Sequence, residues 1–127
     1  MLNPDPAAYL PHRDPFLFLD RVLELEPGVR GVARTAVSST RGFTQILMIE
    51  CVAQLAGIVV SHTEGEGGFL ASIDHADFLA QATAGDILTV SARMVKSFGR
   101  LFMIDGNVSC GANQLLSVQM TLGIGKL

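Results

Sequence analysis

The chain has 127 residues, 49% of them hydrophobic and only 17% charged, with a formal net charge of −3. That length suits one domain, expected over residues 1–127, which buries a core without help from disulfides or metals. The acidic balance excludes a basic field for nucleic acid or anionic lipid, and the apolar excess points to buried subunit contacts or an acyl-binding surface.

Met1 to Pro6 is polar and proline-rich and does not read as a signal peptide. Asn3 to Tyr9 predicts a short capped turn or helix. Leu10 to Pro15 carries two prolines and predicts a loop. Phe16 to Leu25 is a first strand, ended by the turn signal Glu26-Pro27-Gly28. Val29 to Ser38 is a second strand with poor alternation, since Val32 and Val37 flank short and polar residues. Ser39 to Gly42 is a loop. Thr44 to His62 predicts the one long helix, with Thr44 as N-cap. It is apolar almost all round, so it is expected to be buried on most sides, and Gly65 to Gly68 stop it. Its apolar run, Ile46 to Val60, is broken by Glu50 and Gln54 and is too short to span a bilayer. No membrane partner is expected, and a cytoplasmic protein is the default reading.

Four strands follow. Phe69 to Phe78 is one. Ile87 to Phe98 is the next, with Leu88, Val90, Ala92 and Met94 on one face. Leu101 to Cys110 comes after a turn at Gly99. Gln114 to Ile124 comes after a turn at Gly111 to Asn113, and in it Leu116, Val118, Met120 and Leu122 alternate cleanly. Cys51 and Cys110 lack metal or redox spacing, and Cys51 reads as a core residue. No metal and no cofactor is implied. Two strands, a helix and four strands make an α+β fold, in which the sheet must wrap the helix to bury it. A lone sheet leaves its edges exposed, and side-by-side dimerisation covers them.

Three segments carry a family likeness. The first runs from Leu10 through His12, Arg13, Asp14, Pro15 and Phe16 to Val22, continued by Leu23 to Gly28. The second is Ile49-Glu50-Cys51-Val52-Ala53-Gln54-Leu55-Ala56-Gly57. The third is Ile73 to Phe78, with Gly85-Asp86 downstream. Together they resemble the hotdog-fold (3R)-hydroxyacyl-ACP dehydratases, where ACP is acyl carrier protein. The resemblance implies a long central helix wrapped by a curved antiparallel sheet, a dimer, and an acyl chain delivered on a pantetheine arm.

In that family a helix Glu and a loop His face one another across the dimer. The imidazole removes the C2 proton, the carboxyl group assists departure of the C3 hydroxyl, and a helix N-terminus holds the thioester carbonyl. By resemblance Glu50 is the catalytic carboxyl and Gln54 matches the Gln one turn later. Gln45 and Ile46 stand at the carbonyl-binding helix entry. The residues agree independently. Glu50, Gln54, Gly57 and Ser61 fall on one stripe of an apolar helix, where a carboxylate needs a partner or a cavity. The alternative is a Glu at the helix rim, solvated or salt-bridged.

This sequence departs from the family before the helix. Val37 to Gln45 contains no His and no Pro, and the loop is several residues short. Three other histidines are present. His12 matches a structural His of the opening motif. His62, at the predicted helix end, complements the dipole. His75 lies near Asp74 and Asp77 and is the best substitute in the substrate site, although Asp74, its sequence neighbour, points to the opposite face. Among Arg13, Arg21, Arg93, Lys96 and Arg100, the last three form a basic patch for acidic acyl carrier protein or an ordinary solvated face.

Three functions follow. One is a dehydratase-like hydro-lyase on ACP or CoA thioesters in fatty-acid or related lipid and polyene synthesis, with Glu50 as the surviving group. Another is a non-catalytic acyl-ACP-binding partner of an active hotdog dehydratase. The third is an acyl thioesterase using the helix carboxylate.

Overall fold

The structure, a computed structural model, describes residues 2–10, 17–38, 45–60 and 66–126. Near the start, Pro6–Ala8 forms one 3₁₀ turn capped by the Asp5 side chain. The strands are β1 (Arg21–Glu26), β2 (Arg30–Ala36), β3 (Glu66–Phe78), β4 (Ile87–Phe98), β5 (Leu101–Cys110) and β6 (Asn113–Lys126), and the helix is α1 (Gln45–Val59). They form one antiparallel sheet in the order β1-β2-β4-β5-β6-β3. α1 packs against β2, β3, β4, β5 and β6, so one sheet face wraps it. This is the expected α+β hotdog arrangement.

Side chains directly opposed in an antiparallel pair share a face, so the register divides the sheet. Leu88 and Val90 of β4, Ile104 and Val108 of β5, and Leu116, Val118, Met120 and Leu122 of β6 are all buried toward the helix. Gly31, Ala92 and Gly106 are cross-strand neighbours on that same face. Their small size makes a groove for α1. A Cβ on Gly31 would stand 2.9 Å from Val59 Cγ2, and one on Gly106 would overlap Val52 Cγ1. The tight hairpins β4–β5 and β5–β6 each begin with a left-handed glycine, Gly99 (φ 57) and Gly111 (φ 58).

Some features of the strands differ from expectation. β1 starts at Arg21 rather than Phe16, because both main-chain groups of Phe18 are engaged by side chains from α1 and β2. β3 reaches back to Glu66: Gly67 and Gly68, expected only as a helix stop, pair with Gly125 and Ile124 of β6. β2 alternates cleanly between buried and exposed positions, but its buried set is Gly31, Ala33 and Thr35, too small to register as an apolar pattern. The N-cap at Thr44 and the helix end at His62 lie outside the described residues.

Candidate functional site

Glu50, Ala53, Gln54 and Gly57 lie at i, i+3, i+4 and i+7 of α1 and form one wall of a cavity of about 260 Å³. Tyr9 and Leu10, Gly67 to Leu70 of β3, and Leu122 of β6 also line it. Among the described residues, the lining side chains are apolar except for Glu50, Gln54 and the Tyr9 phenol. Glu50 is half-buried, and the expected stripe thus faces a cavity over its described length.

Gln54 is 2% exposed, so its amide needs partners within the fold. Its Oε1 accepts from the Phe18 amide at 3.0 Å, and its Nε2 donates to Glu50 Oε1 at 3.4 Å. The Phe18 carbonyl accepts in turn from the hydroxyl of Thr35, which is 1% exposed. This chain of bonds ties residues 17–20 to both the helix and the sheet, and it aims the Glu50 carboxyl. Gln54, expected to touch substrate, lines the cavity and is also bonded to Glu50 and Phe18. Nothing in the sequence marked Phe18 or Thr35 for this part, since a main-chain amide and a strand threonine carry no motif.

Gln45 and Ile46 open α1, roughly 6–8 Å along the axis from Glu50. Gln45 Nε2 donates to the Ala80 carbonyl at 3.4 Å, and the Ile46 side chain is 66% exposed. Neither lines the Glu50 cavity. What they present there is the first turn of a helix, whose amide dipoles favour negative charge.

His75 lies elsewhere. It pairs with exposed Gln119, while the neighbouring Val118 and Met120 face the helix, so its side chain is on the outer face of the sheet. It is not among the residues lining the Glu50 cavity. Its Nε2 stands 2.9 Å from Asp77 Oδ2, and the side chain is 60% exposed. Asp77, two residues on, shares its face. Asp74 instead accepts from Ser72 and Thr121. His12 and His62 lie outside the described residues.

Three of the basic residues are matched by acids. Arg93 pairs with Asp105 at 3.2 Å, Arg100 pairs with Glu66, and Lys96 sits 4.7 Å from the Phe98 ring centre. Arg30 donates to Glu24 at 2.7 Å, and that bond and charge hold its guanidinium above its usual range. A second concavity of about 410 Å³, on the outer face, is lined by Arg30, Ser91, Arg93, Asp105 and Asn107 among others. Its polar groups largely satisfy one another, with Ser91 donating to Asn107 at 2.9 Å. Arg13 and Ser61 lie outside the described residues.

Residues 32–117 match the family model of the Thioesterase superfamily. The 3-hydroxyacyl-(acyl-carrier-protein) dehydratase FabZ of Ruminiclostridium cellulolyticum is 38% identical over 111 aligned residues, covering 76% of this chain and 78% of the relative. The chain belongs to the FabZ dehydratase family of the thioesterase superfamily. Its likeness to the enzyme of the same description from Staphylococcus saprophyticus is 32% over 130 aligned residues, with 87% and 90% coverage. That alignment is longer than the 127 residues of this chain, so the relative carries residues that are absent here. Among solved structures, a chain of the dehydratase heterocomplex ApeI:P from Xenorhabdus doucetiae superposes with a TM-score of 0.83 over 99% of this chain and 93% of that one. At 18% identity this likeness speaks to the fold alone. Among the described residues, no helix is long and apolar enough to cross a membrane.

Proposed function

We propose that this chain is a dehydratase-like hotdog subunit that takes (3R)-hydroxyacyl or enoyl thioesters of acyl carrier protein or CoA into the Glu50 cavity. One observation carries the reading: a half-buried carboxyl, hydrogen-bonded by a buried glutamine, opens into a cavity whose described lining is mostly apolar. An elimination needs a base at C2 and an acid at C3. Glu50, the one group supplied, takes the C2 proton as a carboxylate and passes it to the C3 hydroxyl, which departs as water while the C2–H electron pair becomes the C2=C3 double bond. The first turn at Gln45 and Ile46 faces the thioester carbonyl, where its dipoles oppose developing negative charge. The site is completed in a dimer, formed along the free edge of β3. A cytoplasmic setting and a place in fatty-acid or related lipid synthesis accord with the family.

A second reading is favoured by a specific observation. Val37 to Gln45 holds no histidine, and His75 is on the outer sheet face. The chain then acts as an acyl-ACP-binding partner of an active hotdog dehydratase, whose histidine serves the reaction. A chain of this fold occurs in the dehydratase heterocomplex ApeI:P, so the fold admits such a pairing.

The test is hydration of an enoyl thioester, and hydrolysis of the thioester, by the purified chain alone and mixed with a histidine-bearing hotdog dehydratase. Activity of the chain alone that falls about 10²–10⁴-fold in Glu50→Ala supports the first reading. Activity rising only on mixing supports the second. Release of free thiol points instead to a thioesterase and overturns both.

A further inference from the structure

Gly57 is a glycine that the chain itself does not require. It lies within α1 and has no left-handed φ, so it is not a helix-ending glycine. Among the described residues, a Cβ built there meets only Leu10 Cδ2, at 3.5 Å, an ordinary contact. The other core glycines differ: side chains of α1 press on Gly31 and Gly106, and a Cβ on Gly68 would sit 3.2 Å from Leu122 Cδ2. Alanine would favour the helix at Gly57. What glycine does supply is space, because Gly57 lines the same cavity as Glu50.

The positions are ordered along the helix. Gln45 and Ile46 stand at its start, Glu50 follows, and Gly57 lies roughly 10 Å beyond Glu50. If the thioester end meets the first turn and the C3 hydroxyl meets Glu50, the tail runs toward Gly57. We infer that Gly57 and Leu10 form the far wall of the acyl cavity and set the length of acyl chain that it accepts. This inference deepens the acyl-thioester reading above and rests on it. The cavity, about 260 Å³, is at the small end for ligand sites, which suits a short or medium tail.

The experiment measures binding by calorimetry for saturated acyl groups from butyryl to dodecanoyl. Each is held in a non-hydrolysable thioether to CoA and to the phosphopantetheine of an acyl carrier protein. The parent should show a preferred length. Gly57→Ala should keep or raise the melting temperature, leave the shortest ligands within about twofold, and weaken the longest accepted one by about tenfold or more. Leu10→Val in the Gly57→Ala background should return the preference toward the parent's. An unchanged length profile in Gly57→Ala overturns the inference while leaving the acyl-binding reading intact. So does a changed oligomeric state in sedimentation, which would assign the glycine to subunit packing. Failure of the parent to bind any of the series overturns the acyl-binding reading and this inference together.

Discussion

Phe18 is held at both main-chain groups by side chains from far along the sequence, Gln54 on α1 and Thr35 on β2. Both partners are buried, so each lost bond leaves a polar group without water. Gln54→Leu should cost about 1–3 kcal/mol in urea unfolding, because the buried Gln54–Phe18 hydrogen bond is lost. Thr35→Val should cost about 1 kcal/mol. The two bonds converge on one residue, so the double variant should depart from additivity by at least about 0.5 kcal/mol. Additive losses would show that the two bonds act separately. Gln54→Leu should also lower any Glu50-dependent activity, because the carboxyl loses the donor that aims it.

Packing of α1 turns on small residues beneath it. Gly106 receives Val52, and a methyl group there has no room. Gly106→Ala should therefore destabilise by about 1–3 kcal/mol, measured by thermal or urea unfolding. Val52→Ala should relieve part of that loss in the double variant, although alone it opens a cavity of its own. If Val52→Ala gives no relief, the overlap is not the cause. At the end of the sheet Phe69 lies across Gly123, where a Cβ would overlap the ring. There the aromatic side chain on β3 covers bare backbone on β6.

One edge of the sheet is β3, thirteen residues long, with Ile73 and Phe78 exposed on it; the other is the short β1. A long, partly apolar edge of this kind pairs readily with another strand. Such a pairing leaves His75 on the outer face in both chains, because continuing a sheet does not invert its faces. The histidine of a complete dehydratase site must then come from another element or another protein. Ile73→Lys should convert a dimer to monomer in sedimentation at micromolar concentration, with the overall strand content unchanged by circular dichroism. A dimer that survives the substitution would place the interface elsewhere.

Two elements were legible residue for residue. Ile87–Phe98 and Leu101–Cys110 are strands over the expected spans, because alternation and a turn glycine are local signals. The Glu50–Gln54–Gly57 stripe was legible for the same reason, since helical spacing is written in the chain and a carboxyl in an apolar helix stands out. Sequence alone thus determined the fold class, the order of elements and the carboxyl that lines the cavity. The tertiary structure decided what those residues meet: the turn before β1 and the glycines of β3 close the cavity, Gln54 reaches Phe18, and His75 faces away from Glu50. These outcomes depend on which strands pair and in what register, and a shift of one residue exchanges the two faces of a strand. Such pairings join residues far apart in the chain, and no local pattern encodes them.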